Sequence, residues 1–167
     1  MAKARAISGV APDSSFREAA ADAVEVRTEE LFSFAEGVLE TGDVERVHDM
    51  RVASRRLRAV LEIFAPCWVG RAKSPYRAAL RDVKALADTL GERRDPDVQI
   101  EALQTAGAAM PAVQRAGVNA LTDRLRGRQA QANERLLEAL EHTGRTELRE
   151  RLLALAAAAD DAAQERA

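Results

Sequence analysis

Residues 43–64 read DVERVHDMRVASRRLRAVLEIF, and the placement of their apolar side chains decides the fold. With His48 set at 0° and about 100° of rotation per residue, Met50, Ala53, Leu57, Val60, Leu61 and Phe64 all fall between about 120° and 220°. On the opposite side lie His48, Arg51 at about −60°, Arg55 at about −20° and Arg58 at about −80°, with Arg56 set apart at about 80°. The segment is therefore an amphipathic helix with one buried apolar stripe and an outward basic ridge about three turns long.

The flanking sequence repeats helical spacing on both sides. Ser15 followed by Glu18 is a capping box, and Phe16, Ala20, Val24, Leu31, Ala35 and Val38 recur behind it. Gly42 is expected to stop this first helix and Asp43 to cap the next, which runs to about Phe64 before Pro66. The tight Thr41–Gly42–Asp43 break makes the two antiparallel neighbours. Ser74–Pro75 opens a third helix, with Leu80, Val83, Leu86 and Leu90 inward and Gly91 as its expected end. Asp95–Pro96 then opens a short fourth helix ending near Gly107. A long helix follows Pro111 to about His142, and Thr146 caps a last one on Leu148, Leu152, Leu155 and Ala159.

No stretch alternates or concentrates β-branched residues as a strand does. Aromatic residues are only 4 % against 47 % hydrophobic, so Ala, Leu and Val carry the core, as in helical proteins. The expectation is an all-α antiparallel bundle of about six helices, with residues 1–14 a flexible N-terminus and 15–167 one domain. A chain of 167 residues is long enough to bury such a core without staples. The single cysteine, Cys67, excludes an intrachain disulfide and is expected to be a small buried hydrophobe in a reducing compartment. The N-terminus lacks the apolar core of a secretory signal, and no apolar run is long enough for a bilayer, so a cytoplasmic protein without membrane association is expected.

The net charge of −2 conceals a strong asymmetry. Residues 1–45 carry 4 basic and 10 acidic side chains, residues 46–84 carry 10 and 3, and residues 85–167 carry 11 and 14. The central +7 block concentrates anions wherever its side chains share a face. On the third helix Arg77, Arg81 and Lys84 lie within about 60° of one another, so the second ridge matches the first. Arg124, Arg128, Arg135 and His142 form a weaker stripe on the long helix. A face serving only solubility mixes both signs in i,i+4 pairs. The ridge on residues 48–58 is nearly single-signed and built of arginine, the side chain suited to bidentate contact with phosphate or carboxylate.

The run Val47-His48-Asp49-Met50-Arg51-Val52-Ala53-Ser54-Arg55-Arg56-Leu57-Arg58 resembles the signature of the CHAD family, the conserved-histidine α-helical domain. Downstream, Leu86…Leu90-Gly91-Glu92-Arg93-Arg94-Asp95-Pro96-Asp97-Val98 resembles that family's second element. The resemblance implies a non-enzymatic helical protein that binds inorganic polyphosphate through His, Arg and Lys side chains and associates with polyphosphate granules. It implies His48, Arg51, Arg55, Arg56 and Arg58 as ligand groups, with Lys84 and Arg94 from the second element. Arg77 and Arg81 join them by helical phase. Typical members carry two related bundles, and the motifs here match only the first, so a ligand-promoted homodimer is expected to rebuild the second basic face.

No Gly-rich phosphate loop and no zinc-ligand spacing is present, so neither a catalytic residue, a metal nor a cofactor is expected. Two rival readings remain. His48-Asp49-Met50-Arg51 faintly resembles the start of a histidine-kinase dimerisation helix, which needs none of Arg55, Arg56 and Arg58. Nucleic-acid binding fits the arginines, but few aromatics offer stacking platforms and the acidic remainder opposes wide duplex contact. Arg27, on the apolar face of the first helix, is expected to pair with an inward carboxylate. Asp95 and Asp97 are expected as an N-cap and a first-turn acid. Trp68 is expected to plug the core.

Overall fold

Ser15 fixes where the first helix begins. Its hydroxyl accepts from the Glu18 backbone N–H at 3.2 Å while the Glu18 carboxylate accepts from the Ser15 N–H at 2.6 Å, the reciprocal cap read from the sequence. The computed structural model describes residues 3–164. It contains five α-helices: α1 (Phe16–Phe32), α2 (Val44–Ile63), α3 (Lys73–Ala108), α4 (Ala112–Arg145) and α5 (Leu148–Gln164). Single 3-10 turns at Ala65–Cys67 and Gly70–Ala72 link α2 to α3, and no strand occurs among the described residues.

Helix α1 ends at Phe32, well before the expected stop at Gly42. The Ser33 hydroxyl donates to the Glu30 carbonyl at 2.8 Å, competing with helix continuation. Gly37 then takes a φ of 70°, which costs a residue without a Cβ little. Arg46 pins the turn by donating to the Glu36 carbonyl at 2.8 Å. Phe34, Ala35, Val38 and Leu39 still reach the core, but as successive turns whose spacing imitates a helix. Asp43 occupies the N-cap position of α2, yet its carboxylate accepts from the Arg46 guanidinium at 2.9 Å instead of capping a backbone N–H.

The largest departure lies in α3, which passes through both Gly91 and Pro96 and is one helix rather than two. Pro96 offers no N–H to the turn before it, a defect costing about 3 kcal/mol in an isolated helix. Here tertiary contacts override it. Pro96 is buried, and Arg93 and Asp97 pair across it at 2.5 Å while Gln129 and Asn133 of α4 bond to the same two side chains. Asp95 and Asp97 are accordingly mid-helical, not the cap and first-turn acid expected. Thr146 likewise closes α4, its hydroxyl donating to the His142 carbonyl at 2.9 Å, and does not start α5. Glu147 follows with a φ of 50° and turns the chain directly into α5.

The pairs α1–α2, α2–α3, α3–α4 and α5–α1 are antiparallel. Phe16 meets Phe64 and Glu30 meets Arg56 between α1 and α2. Tyr76 meets Leu61, Lys84 meets Glu62 and Arg94 reaches Val44 between α2 and α3. Asn133 pairs with Arg93 and Gln129 with Asp97 between α3 and α4, and Arg149 pairs with Glu29 between α5 and α1. The core joins Leu57, Leu61, Val83, Leu86, Leu90, Leu148 and Leu152 with the small Ala20, Ala53 and Ala159. Trp68 plugs one end as expected: it is 2 % exposed, donates to the Leu155 carbonyl at 2.9 Å and stacks on Tyr76 at 5.1 Å.

Candidate polyanion-binding surface

The α2–α3 contact determines which basic side chains share a surface. Met50, Ala53, Leu57 and Leu61 turn α2 inward, and Ala79, Val83, Leu86 and Leu90 turn α3 to meet them. The charged faces of both helices are thereby left along one outer seam. Because the helices run antiparallel, Arg51 comes opposite Gly91, with its Nε 3.7 Å from where a Cβ would stand. Further along, Arg58 comes opposite Lys84, and the end of α2 lies beside the start of α3. Arg55, Arg77 and Arg81 are exposed, whereas His48, Arg51, Arg58 and Lys84 are half-buried. Arg51, Arg58 and Lys84 thus meet the seam directly, and helical phase sets His48, Arg55, Arg77 and Arg81 on the outward faces beside it, seven of the nine expected ligand groups.

The other two lie elsewhere. Arg56 leaves the seam on the α1 side and donates to Glu30 at 2.7 Å; Glu30 is 1 % exposed and also pairs with Arg27. That arrangement matches the expected structural role of Arg27, which is buried against an inward carboxylate. Arg94 folds inward at the N-terminal end of α2, 3.5 Å from the Val44 carbonyl and 3.9 Å from carboxylate oxygens of both Glu45 and Asp97. On α4, Arg124, Arg128 and His142 are exposed, and Arg135 pairs with Glu92 at 3.0 Å.

Three acidic groups qualify the seam, and one of them, Asp82, lies 3.6 Å from Arg81 while also accepting from Arg151 of α5. Glu62 stands at about −40° on the same angular scale, in the middle of the basic ridge. Its Oε1 accepts from Arg58 Nε at 3.0 Å and lies 3.2 Å from Lys84 Nζ. The Arg58 hydrogen bond, and then that from Lys84, hold the Glu62 carboxyl below the usual carboxylate range. Asp88 is exposed one turn past Lys84 on α3 and enters no ion pair among the described residues. The ridge is therefore less single-signed than the stretch 48–58 suggests, and the i,i+4 spacing of Arg58 and Glu62 was the available signal.

Sequence reasoning also missed Arg93. It is fully buried, donates to Asn133 Oδ1 at 2.9 Å and pairs with Asp97. The signal was its phase, since Val83, Leu86, Leu90, Arg93 and Asp97 continue one inward stripe. Cys67 is buried as expected, and burial pushes its thiol above the ordinary value, leaving it a poor nucleophile at neutral pH. No described helix is long and apolar enough to cross a membrane.

No curated protein and no solved structure matches the chain. The family model for the CHAD domain matches residues 22–167 and takes in the seam, both sequence elements and all of α2 to α4. The chain belongs to the CHAD family, a family associated with polyphosphate binding.

Proposed function

We propose that this chain binds inorganic polyphosphate without catalysis, along the α2–α3 seam. The observation that carries the reading is the antiparallel alignment of His48, Arg51, Arg55 and Arg58 with Lys84, Arg81 and Arg77 on one outer face. An extended polyanion lying along that face meets a cation at about every helical turn, near 5.4 Å. Guanidinium groups add bidentate contacts that ammonium groups do not. Arg94 steadies the N-terminal end of α2 behind the surface, and Arg56 supports it from the α1 side through Glu30. Granule association follows as a consequence of multivalent contact with a concentrated polymer.

The test is a titration with polyphosphate at two salt concentrations, with duplex DNA as competitor. With six phosphate contacts, log K is expected to fall against log salt with a slope of about −4. A flat salt response, or preference for DNA at equal charge, overturns the reading. Two seams facing one polymer would also draw two copies together, since an anion between them removes the repulsion of like ridges. Light scattering at saturating polyphosphate is expected to show a dimer, and a mass of 18.1 kDa plus ligand would exclude it.

A further inference from the structure

Between Arg58 and Lys84 an anion already occupies the seam. One carboxylate oxygen, Glu62 Oε1, lies 3.0 Å from Arg58 Nε and 3.2 Å from Lys84 Nζ, on two different helices. A single oxygen shared by a guanidinium and an ammonium is the contact a phosphate oxygen would make there. All three side chains are close to half-exposed, so the clamp can open without disturbing the core.

We infer that Glu62 is a tethered competitor for phosphate, which keeps short phosphates off the Arg58–Lys84 seat and yields to long chains. The inference rests on the proposed polyphosphate reading and concerns the selectivity of that same surface. A side chain fixed on the same helix competes at an effective concentration in the millimolar range. Orthophosphate or tripolyphosphate whose best seat is Arg58–Lys84 meets that competition alone. A long chain already held by Arg51, Arg55, Arg77 and Arg81 presents its own phosphates at comparable effective concentration and displaces the carboxylate. The carboxylate is ionised at neutral pH, because Arg58 and Lys84 stabilise its charged form. The clamp also holds the two cations at the spacing one oxygen bridges, so the seat is formed before ligand arrives.

The experiment measures affinity for tripolyphosphate and for long-chain polyphosphate in the wild type, Glu62→Gln, Glu62→Ala and Asp88→Asn. Glu62 is exposed, so both of its variants should keep the fold, checked by circular dichroism. Both are expected to bind tripolyphosphate about fivefold more tightly, the worth of one exposed ion pair near 1 kcal/mol. Long chains should gain about twofold or less, since most of their contacts lie outside the seat. Asp88→Asn removes the same charge from the α3 side of the seam without touching the clamp, and should change neither affinity appreciably. Weaker or unchanged binding in the Glu62 variants, equal gains for short and long chains, or an equal gain in Asp88→Asn overturns the inference while the polyphosphate reading stands. Absence of polyphosphate binding in all four proteins overturns both.

Discussion

Arg93 and Arg55 put one side chain to opposite uses. Arg93, on α3, is fully buried; its Nε donates to Asn133 and its Nη1 pairs with Asp97, while Asp97 accepts again from Gln129 at 2.6 Å. Arg55, on α2, is exposed and enters no ion pair among the described residues. The buried guanidinium is held beside a carboxylate, so it fastens α3 to α4, and its burial puts it out of a ligand's reach. The exposed one adds little to the fold, and its donors face outward, where the proposed anion would lie. The number of arginines in a sequence therefore says little about binding until each is assigned to one of these environments. Arg27 and Arg56, converging on the buried Glu30, belong with Arg93. Arg77 belongs with Arg55; Arg81 is as exposed but lies 3.6 Å from Asp82, and Arg51 is half-buried.

The sharpest way to break this division is to remove one member from each side. Arg93→Ala leaves the buried Asp97 carboxylate with Gln129 and a distant Arg94, and breaking such a pair costs about 3 kcal/mol. Arg55→Ala removes an exposed, unpaired group and should stay within about 0.5 kcal/mol of the wild type. Urea denaturation of both variants decides the matter. Equal losses would mean that the Arg93 network is not what holds α3 through Pro96.

The same division explains what the sequence shows and what it conceals. The α2 stripe of Met50, Ala53, Leu57 and Leu61 predicts its own burial, because a 3.6-residue period leaves one face no alternative. The cap at Ser15, the plug at Trp68 and the inward stripe on α5 follow from equally local rules. Helix ends do not. Gly91 and Pro96 are local stop signals, and they are overruled by partners more than thirty residues away, Gln129 and Asn133. Ser33 and Gly37 end α1 early although the apolar spacing continues, because successive turns can reproduce that spacing. On the seam, angular positions identify which cations point outward, but pairing across helices depends on register. Neither Glu62 bridging to Lys84 nor Arg56 reaching Glu30 could be read from either helix alone.

A second comparison sets the seam against the outer stripe of α4. Arg55→Ala with Arg58→Ala should weaken polyphosphate binding about thirtyfold, the loss of two charge-assisted contacts near 1 kcal/mol each. Arg124→Ala with Arg128→Ala removes the same charge from exposed positions on α4 and should cost less than about threefold, through the long-range field alone. Calorimetry on the two double variants measures the difference. Equal losses would make the binding surface a diffuse cloud of positive charge and remove the special standing of the α2–α3 seam.

The smallest expected effect lies within the seam itself and depends on pH. The Glu62 carboxyl is depressed in the folded protein, first by Arg58 and then by Lys84. A depressed acid contributes stability that is present above its unfolded value, near 4.5, and is lost as pH falls through the lower folded value. The pair is exposed, so its share at neutral pH is about 1 kcal/mol or less. Wild type should therefore be slightly more stable than Glu62→Gln at pH 7, and the two should converge on acidification below 4.5. Tripolyphosphate affinity should converge over the same window, because protonated Glu62 no longer competes and the wild type then behaves as the amide. Taking wild type against Glu62→Gln at each pH cancels the titration of the phosphate itself. Binding curves that remain separated in acid would show that the carboxylate acts on the seam through something other than its charge.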